Sequence, residues 1–418
     1  MISILTPVHR KSAPYLPEAH RSLQKQTYQD FEWVLVPNGG ATIPPEISAD
    51  PWVRIFPLPD EEEHNRIGRL KRYAATQAKG TILVELDADD LLTPDALGKI
   101  AGAFLDTGAA MVYSNCAEFE NDTWQGRTYD PVYGWHSRPF EYMGHSLLET
   151  ISPPVRADTM RSVLYAPNHV RAWATADYWS VGGHNEELRT GDDHELMCRL
   201  YAAFGERRFC HINECLYLYR LHGQNSSQTH NGEVHAQVER NYVRYARDMI
   251  NRWATDNNLP RVDLGGRLDC PQGYISVDLF NADIQADLND RWPFEDASIG
   301  VLRASHLIEH LRDPIHTMNE AHRVLVPGGW FLIDVPSTDG RGAFQDPTHV
   351  SFWNENSFWY YTDRNYANYI PAYRGRFQAA RVVTYYPDQW WQQRQIPVVS
   401  AHLIALKEGY EPMGEVKI

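Results

Sequence analysis

Thr81-Ile-Leu-Val-Glu-Leu-Asp-Ala-Asp-Asp90 passes from an apolar segment straight into three aspartates. A short apolar run bounded by polar residues reads as a buried strand. On either side of it the same pattern recurs. Ile2–Leu5, Phe31–Val36, Val53–Phe56 and Ala110–Ser114 read as further strands. Pro14–Gln26 and Ile67–Ala78 carry apolar residues at helical spacing: Leu16, Ala19 and Leu23 in one, Leu70, Ala74 and Ala78 in the other. Strands that alternate with helices predict βαβ units and an α/β fold with a parallel sheet. Ligands of such sheets bind beyond the carboxyl ends of the strands, which singles out Thr6–Arg10, Pro37–Gly40 and Asp87–Asp90.

Three carboxylates at one strand end repel each other unless a cation sits among them, and oxygen ligands suit Mg2+ or Mn2+. Helix capping is the competing explanation. Thr93-Pro94 already offers an N-cap and a first-turn proline to the next helix, which leaves the aspartates surplus to capping.

The chain has 418 residues, enough for two or three domains, with 43% hydrophobic and 22% charged residues, a composition that excludes a disordered protein. A net charge of −15 argues against a duplex DNA binder. The five cysteines (Cys116, Cys198, Cys210, Cys215, Cys270) form no CxxC pair, so neither a disulfide framework nor a zinc site is signalled. The first residues lack the pattern of a signal peptide, and no apolar run is long enough to span a bilayer. A reducing, cytoplasmic setting is expected.

A second alternation of apolar runs begins near Arg261: Val262–Leu264, Ile275–Leu279, Ile299–Arg303 and Trp330–Val335. The polar stretch His222–Glu233 precedes a helix to about Ala254, and residues 255–260 have linker composition. The expected organisation is therefore residues 1–225, a helical linker over 226–260, and residues 261–418.

The first part resembles a family 2 glycosyltransferase of the GT-A fold, a nucleotide-diphospho-sugar transferase of Rossmann-like topology. The resemblance is carried by Ile4-Leu-Thr-Pro-Val-His9, Gly68-Arg-Leu-Lys-Arg72, Ala78-Lys-Gly80 and the DxD of Asp87-Ala-Asp89. It continues through Gly182-Gly-His-Asn-Glu-Glu187, Gly191-Asp-Asp-His-Glu-Leu196 and Tyr219-Arg-Leu-His222, and so covers roughly residues 1–225. It implies a nucleotide-sugar donor, a UDP-sugar favoured, and a glycan or other hydroxyl acceptor. A divalent cation, Mn2+ or Mg2+, bound by Asp89 would stabilise the departing diphosphate. Asp87 would lie toward the ribose or the metal, and His222 either completes the coordination or is a loop histidine. Pro7, His9 and Asn38 fall on the nucleotide side. Asn38 stands where the family often has an acidic residue, and it can still read a uracil-like edge. Arg72 either approaches the phosphates or lies on a solvated helix face.

Inverting transfer needs one general base, and the resemblance points to Asp193 with Asp192 as its neighbour. Acids also favour the start of a helix, here one running to about Phe204. A like-charged neighbour is expected to raise the proton affinity of the base.

The second part resembles a class I S-adenosylmethionine-dependent methyltransferase, Rossmann-like in fold, over about residues 261–337. Arg261-Val-Asp-Leu-Gly-Gly266 ends a strand in glycines and Val277-Asp278 ends the next in an acid. Asp287, Trp292-Pro-Phe-Glu-Asp296, Leu307-Ile-Glu-His-Leu311 and Arg323-Val-Leu-Val-Pro-Gly-Gly329 follow in order. The resemblance implies S-adenosylmethionine held by Gly265, Gly266, Asp278 and Asp287. The glycine motif is shortened, and about ten residues separate the first two strands, too few for a full crossover helix. The cofactor-facing first helix is expected to be missing. The domain then either binds the cofactor through its acids or serves as packing.

His310 and His349 are alternative bases, although Gln345-Asp-Pro-Thr-His349 also has turn chemistry that needs no function. The aromatic run Phe352–Tyr369 suits sugar stacking or core packing.

The sequence thus predicts a glycosyltransferase followed by a domain that either methylates the product or is an inert scaffold. A DNA-base acceptor would require a local basic groove against the overall charge.

Overall fold

The computed structural model describes residues 1–58, 66–121, 123–162, 169–223, 225 and 230–414. The part of the expected linker at 226–229 lies outside the described residues. Contacts divide the chain into two compact units, Met1–Met249 and Ile250–Ile418.

In the first unit the apolar runs form β1 (Ile2–His9), β2 (Phe31–Asn38), β3 (Val53–Ile55), β4 (Ile82–Glu85), β5 (Leu91–Leu92) and β6 (Met111–Glu120). They are joined by β7 (His136–Tyr142), β8 (His145–Ile151), β9 (Arg171–Ala174) and β10 (Phe209–Leu221). The sheet order is β3-β2-β1-β4-β9-β6-β10-β5, with the β7–β8 hairpin attached to β6. β1 pairs in parallel with β2 and β4, and β6 with β10, as alternating strands and helices require. β5 on β10 and the β7–β8 hairpin on β6 are antiparallel, and so is β9, which inserts between β4 and β6. Four residues, Arg-Ala-Trp-Ala, carry no periodicity from which that placement could be read.

Helices α1 (Leu16–Gln24), α2 (Ile67–Gln77) and α3 (Ala96–Thr107) bury Leu16, Ala19, Leu23, Leu70, Ala74, Leu97 and Ile100. All lie at helical spacing, and those of α1 and α3 belong to a core that includes Ile2, Ile4, Trp33, Leu35, Val84 and Val112. α3 corrects one expectation. Its N-cap is Asp95, not Thr93, whose carbonyl instead accepts the Ala96 N–H. α4 (Asp192–Phe204) starts at the acidic pair, and α5 (Asn231–Asp256) runs from the first unit into the second, so Thr255 and Asp256 are helical rather than linker.

The second unit is a seven-stranded sheet of β11 (Arg261–Leu264), β12 (Ile275–Asp278), β13 (Ile284–Gln285), β14 (Ile299–Ser305), β15 (Leu325–Pro336), β16 (Phe377–Tyr385) and β17 (Val398–Ala405). The order is β13-β12-β11-β14-β15-β17-β16, parallel as far as β15 and antiparallel beyond it. Residues 265–274 between β11 and β12 are turns, so the crossover helix is absent, as ten residues dictate. α6 (Pro314–Val324) is capped by Asp313, whose carboxylate accepts the N–H groups of Ile315 and His316.

At the start of α2 a Cβ on Gly68 would lie 2.0 Å from the Asn185 carbonyl oxygen, so only glycine lets the helix approach that loop. Gly68→Ala is expected to cost about 1–3 kcal/mol by overpacking. Gly102→Ala, in α3 with nothing within 4 Å of the added methyl, should stabilise by about 0.5–1 kcal/mol. Urea unfolding of both variants checks the contrast.

Candidate active site

β1 and β2 run in register, so their carboxyl ends place His9 opposite Asn38 and Pro7 opposite Val36. β4 lies on the other side of β1 with Glu85 opposite Leu5, and the chain then leaves the sheet through Leu86–Asp90. Buried Thr6 holds that exit: its hydroxyl donates to the Leu86 carbonyl at 2.6 Å and accepts from the Trp33 indole at 2.8 Å. Pro7, His9, Asn38 and Asp87 thereby share one sheet edge.

The three aspartates have different surroundings. Asp90 is buried and accepts from the Tyr217 hydroxyl and the Arg220 backbone N–H, both at 2.7 Å, so it anchors β10. Asp89 meets His222 Nε2 at 2.6 Å. Arg220 Nε donates to the Asp89 carbonyl at 2.6 Å and its other end pairs with Glu18 at 2.9 Å. Tyr15 stacks on His222 at 5.2 Å, beneath the same guanidinium. Asp87 takes the middle position, its N–H donating to the Tyr217 hydroxyl at 3.1 Å. Burial pushes its carboxyl up to about 6; Asp89 and Glu85 add to the rise, and Lys71 and Arg171 oppose it.

The acidic pair opens α4 behind Gly191, a left-handed residue (φ +67°) whose carbonyl accepts from Asn241 at 2.8 Å. Asp192 is buried, 2.9 Å from His184 Nδ1 and 3.7 Å from Lys71 Nζ. Asp193 faces Arg171 at 2.7 Å. Glu85 joins the two acids: Lys71 at 2.8 Å, the Trp173 indole at 2.8 Å, His184 at 3.0 Å and Arg171 at 3.6 Å all converge on it. The expected upward shift of Asp193 is reversed. Burial works in that direction, but Arg171 and Lys71 outweigh it and hold the carboxyl down to about 2. The neighbour Asp192 turns away to its own cations.

Arg72 does not join these groups. Its guanidinium lies over the Trp179 ring and pairs with Glu186 at 3.4 Å. The cation that enters is Lys71, one residue earlier. Ile67, Lys71 and Ala74 form one stripe along α2, so helical spacing alone could have found it. Glu85 was legible as the acid inside an apolar strand. Arg171, His184 and Arg220 gave no comparable signal, because their roles depend on where β9, the loop before α4 and the end of β10 lie.

In the second unit Gly265 (φ +75°) packs so closely on Leu307 that a Cβ would lie 3.0 Å from its Cδ1. A Cβ on Gly266 would lie 2.4 Å from Asp263 Oδ2. Asp263 is fully buried, and Arg303 Nη1 donates to both of its oxygens at 2.8 and 2.9 Å. Asp278 ends β12, half-buried. Asp287 is exposed and accepts from the Asn289 N–H and amide at 2.9 Å, an Asx turn. In the aromatic run Trp353, Phe358 and Tyr361 are core, whereas Phe352 and Tyr369 are exposed. Among the described residues, the group of three metal-type side chains whose ligand atoms all lie within 4.8 Å of one another is Glu309, His310 and His349, not Asp87, Asp89 and His222.

Residues 3–165 match the family model "Glycosyl transferase family 2", and residues 251–333 match "Methyltransferase domain". The chain carries a family 2 glycosyl transferase domain followed by a methyltransferase-type domain. The E. coli O-antigen biosynthesis glycosyltransferase WbnJ is 24% identical over 237 residues, 55% of this chain and 83% of that protein. The Pasteurella multocida chondroitin synthase is 26% identical over 234 residues, 54% of this chain and 21% of that protein. The Myxococcus xanthus O-antigen biosynthesis protein RfbC is 29% identical over 224 residues, 52% of this chain but only 16% of its own length. The structure of S. aureus TarS 1–349 in complex with UDP overlaps 62% of this chain and 70% of its own at 17% identity and a TM-score of 0.44. Among the described residues no helix is long and apolar enough to cross a membrane.

Within the first unit, His184 lies between Glu85 and Asp192. Burial works against its charged form, but the two carboxylates outweigh that and raise its proton affinity. The stability it contributes is full below its unfolded pKa of about 6.5 and is lost as pH rises through the higher folded value. The stability difference between wild type and His184→Gln should therefore be largest at mildly acidic pH and shrink as the solution becomes alkaline, as measured by urea unfolding across pH.

Proposed function

We propose that the first unit transfers a sugar from a nucleotide-sugar, a UDP-sugar favoured, to a hydroxyl of a glycan or similar acceptor with inversion at the anomeric carbon. The observation that carries this reading is one continuous set of charges at the carboxyl edge of the sheet. The Asp89–His222 pair and the Asp193–Arg171 pair flank Asp87, and Lys71 and Arg171 act on both Asp87 and Asp193. Relatives named as O-antigen and chondroitin enzymes support a glycan acceptor.

The donor set fits a divalent cation: the part-buried Asp87 carboxyl, pushed up by desolvation and further by its acidic neighbours, sits beside a carboxylate–imidazole pair. Asp89 and His222, with Asp87 beside them, would hold Mn2+ or Mg2+, which supplies positive charge to the diphosphate leaving group. His9, Pro7 and Asn38 bound the nucleotide side, and Arg220 positions the loop by gripping the Asp89 carbonyl. The acceptor oxygen bonds to the anomeric carbon as the bond to the diphosphate oxygen breaks, and Asp193 takes the acceptor proton. Its low proton affinity means that the transfer occurs late, once bond formation has acidified the hydroxyl.

Donor turnover with Mn2+ and a glycan panel tests this. Asp193→Asn should lower kcat by about 10²–10⁴-fold with donor KM retained, and Asp89→Asn or a chelator should abolish turnover. Chelator-resistant turnover, or wild-type kcat in Asp193→Asn, would overturn the assignment.

We read the second unit as a methyltransferase-type scaffold. The space beside both glycines is filled by Leu307 and Asp263, and Asp287 is engaged in its own turn, so these residues do not fit S-adenosylmethionine. The match over residues 251–333 favours the rival reading, methylation of the product. Calorimetry with millimolar S-adenosylmethionine decides: no heat is expected, and saturable binding would restore methyl transfer.

A further inference from the structure

Beyond sugar transfer, the structure assigns a second metal site to Glu309, His310 and His349, and we propose that it takes a divalent first-row transition metal such as Zn2+. Two of the ligands come from one short turn. Ile308–His310 forms a 3-10 turn just past the carboxyl end of β14, the edge of a parallel sheet where ligands bind. His349 arrives from a separate loop 39 residues later. Yet the ligand atoms of all three lie within 4.8 Å of one another.

Three independent features argue for a cation rather than a chance meeting. Glu309 is 2% exposed, and neither of its carboxylate oxygens has a hydrogen-bond partner. The imidazole of half-exposed His306 lies 3.6 Å away, beyond hydrogen-bond distance. An unsatisfied buried carboxylate is costly unless a cation completes it. Both histidines also have Nδ1 engaged by protein oxygens. His349 Nδ1 sits 2.9 Å from the Ala343 carbonyl and His310 Nδ1 3.2 Å from the Thr348 carbonyl. A proton on each Nδ1 leaves Nε2 as a free lone pair, the usual arrangement around a metal-bound imidazole.

The two segments are preassembled as well. The N–H groups of Val350 and Ser351 donate to the Glu309 carbonyl at 2.9 and 3.0 Å, and the Ser351 hydroxyl donates to the Ile308 carbonyl at 2.8 Å. The turn before His349 is closed by Asp346, which accepts from the Thr348 N–H and hydroxyl. Two imidazoles and one carboxylate suit zinc and its neighbours rather than Mg2+ or Ca2+, which prefer oxygen-only cages. Three protein ligands leave at least one position for water or an acceptor oxygen.

The test uses the untagged full chain, stripped with chelator and titrated with Co2+ and Zn2+. Wild type should develop the visible absorption of nitrogen-ligated Co2+, displaced by Zn2+, and Zn2+ should raise Tm. His349→Ala and His310→Ala should lose the band, and Glu309→Gln should weaken binding at least about tenfold. The Asp89→Asn/His222→Ala double variant, which disarms the other carboxylate–histidine pair, should keep it. Before metal is added, Glu309→Gln should match or exceed wild-type Tm, because it removes an unpaired buried charge. Absence of the band in wild type, or unchanged metal affinity in folded Glu309→Gln together with a lower metal-free Tm, would overturn the assignment. Neither result bears on sugar transfer, which rests on Asp89 and Asp193.

Discussion

Charge compensation around Glu85 is the constraint on which the first unit depends. A carboxylate inside a sheet is tolerated only if cations and donors reach both of its oxygens. Here Lys71 of α2, Arg171 and the Trp173 indole of β9, and His184 of the loop before α4 do so from three different segments. The cationic groups also reach the start of α4: Lys71 and His184 face Asp192, and Arg171 faces Asp193. The network therefore docks α2, β9 and the acidic end of α4 onto β4. The buried ions fix which strand lies beside β4, a specificity that apolar packing alone would leave loose.

The same network separates aspartates that look alike in sequence. Asp193 touches a guanidinium and is held ionised; Asp87 is part-buried among other acids and is pushed the opposite way. Asp90 is taken out of the chemistry by Tyr217 and Arg220, and Asp192 by Lys71 and His184. What remains is a pair of acids with opposite proton affinities at one sheet edge, and the function proposed above rests on that difference.

In the second unit the strands are parallel from β13 to β15 and no helix joins β11 to β12; beside the glycine turn, buried Asp263 of β11 pairs with Arg303 of β14. A fold of this class keeps its carboxyl edge available for other chemistry, and there the Glu-His of one turn meets the His of another.

Hydrophobic period and end-of-strand chemistry made much of this legible. The strands from Ile2 to Ser114, helices α1 and α2, the start of α4 at the acidic pair and the missing crossover helix follow from spacing and length. So does the position of Asp87 and Asp89 at a sheet edge. The N-cap of α3, the insertion of β9, the outward course of Arg72 and the low proton affinity of Asp193 do not. Local sequence encodes which face of an element is apolar and which residue types end it, because those depend on a repeat of two or 3.6 residues. Which cation meets which carboxylate is decided by strands distant in the chain, such as the four residues that bring Arg171 between Glu85 and Asp193. No local period carries that information, so only the folded sheet assigns it.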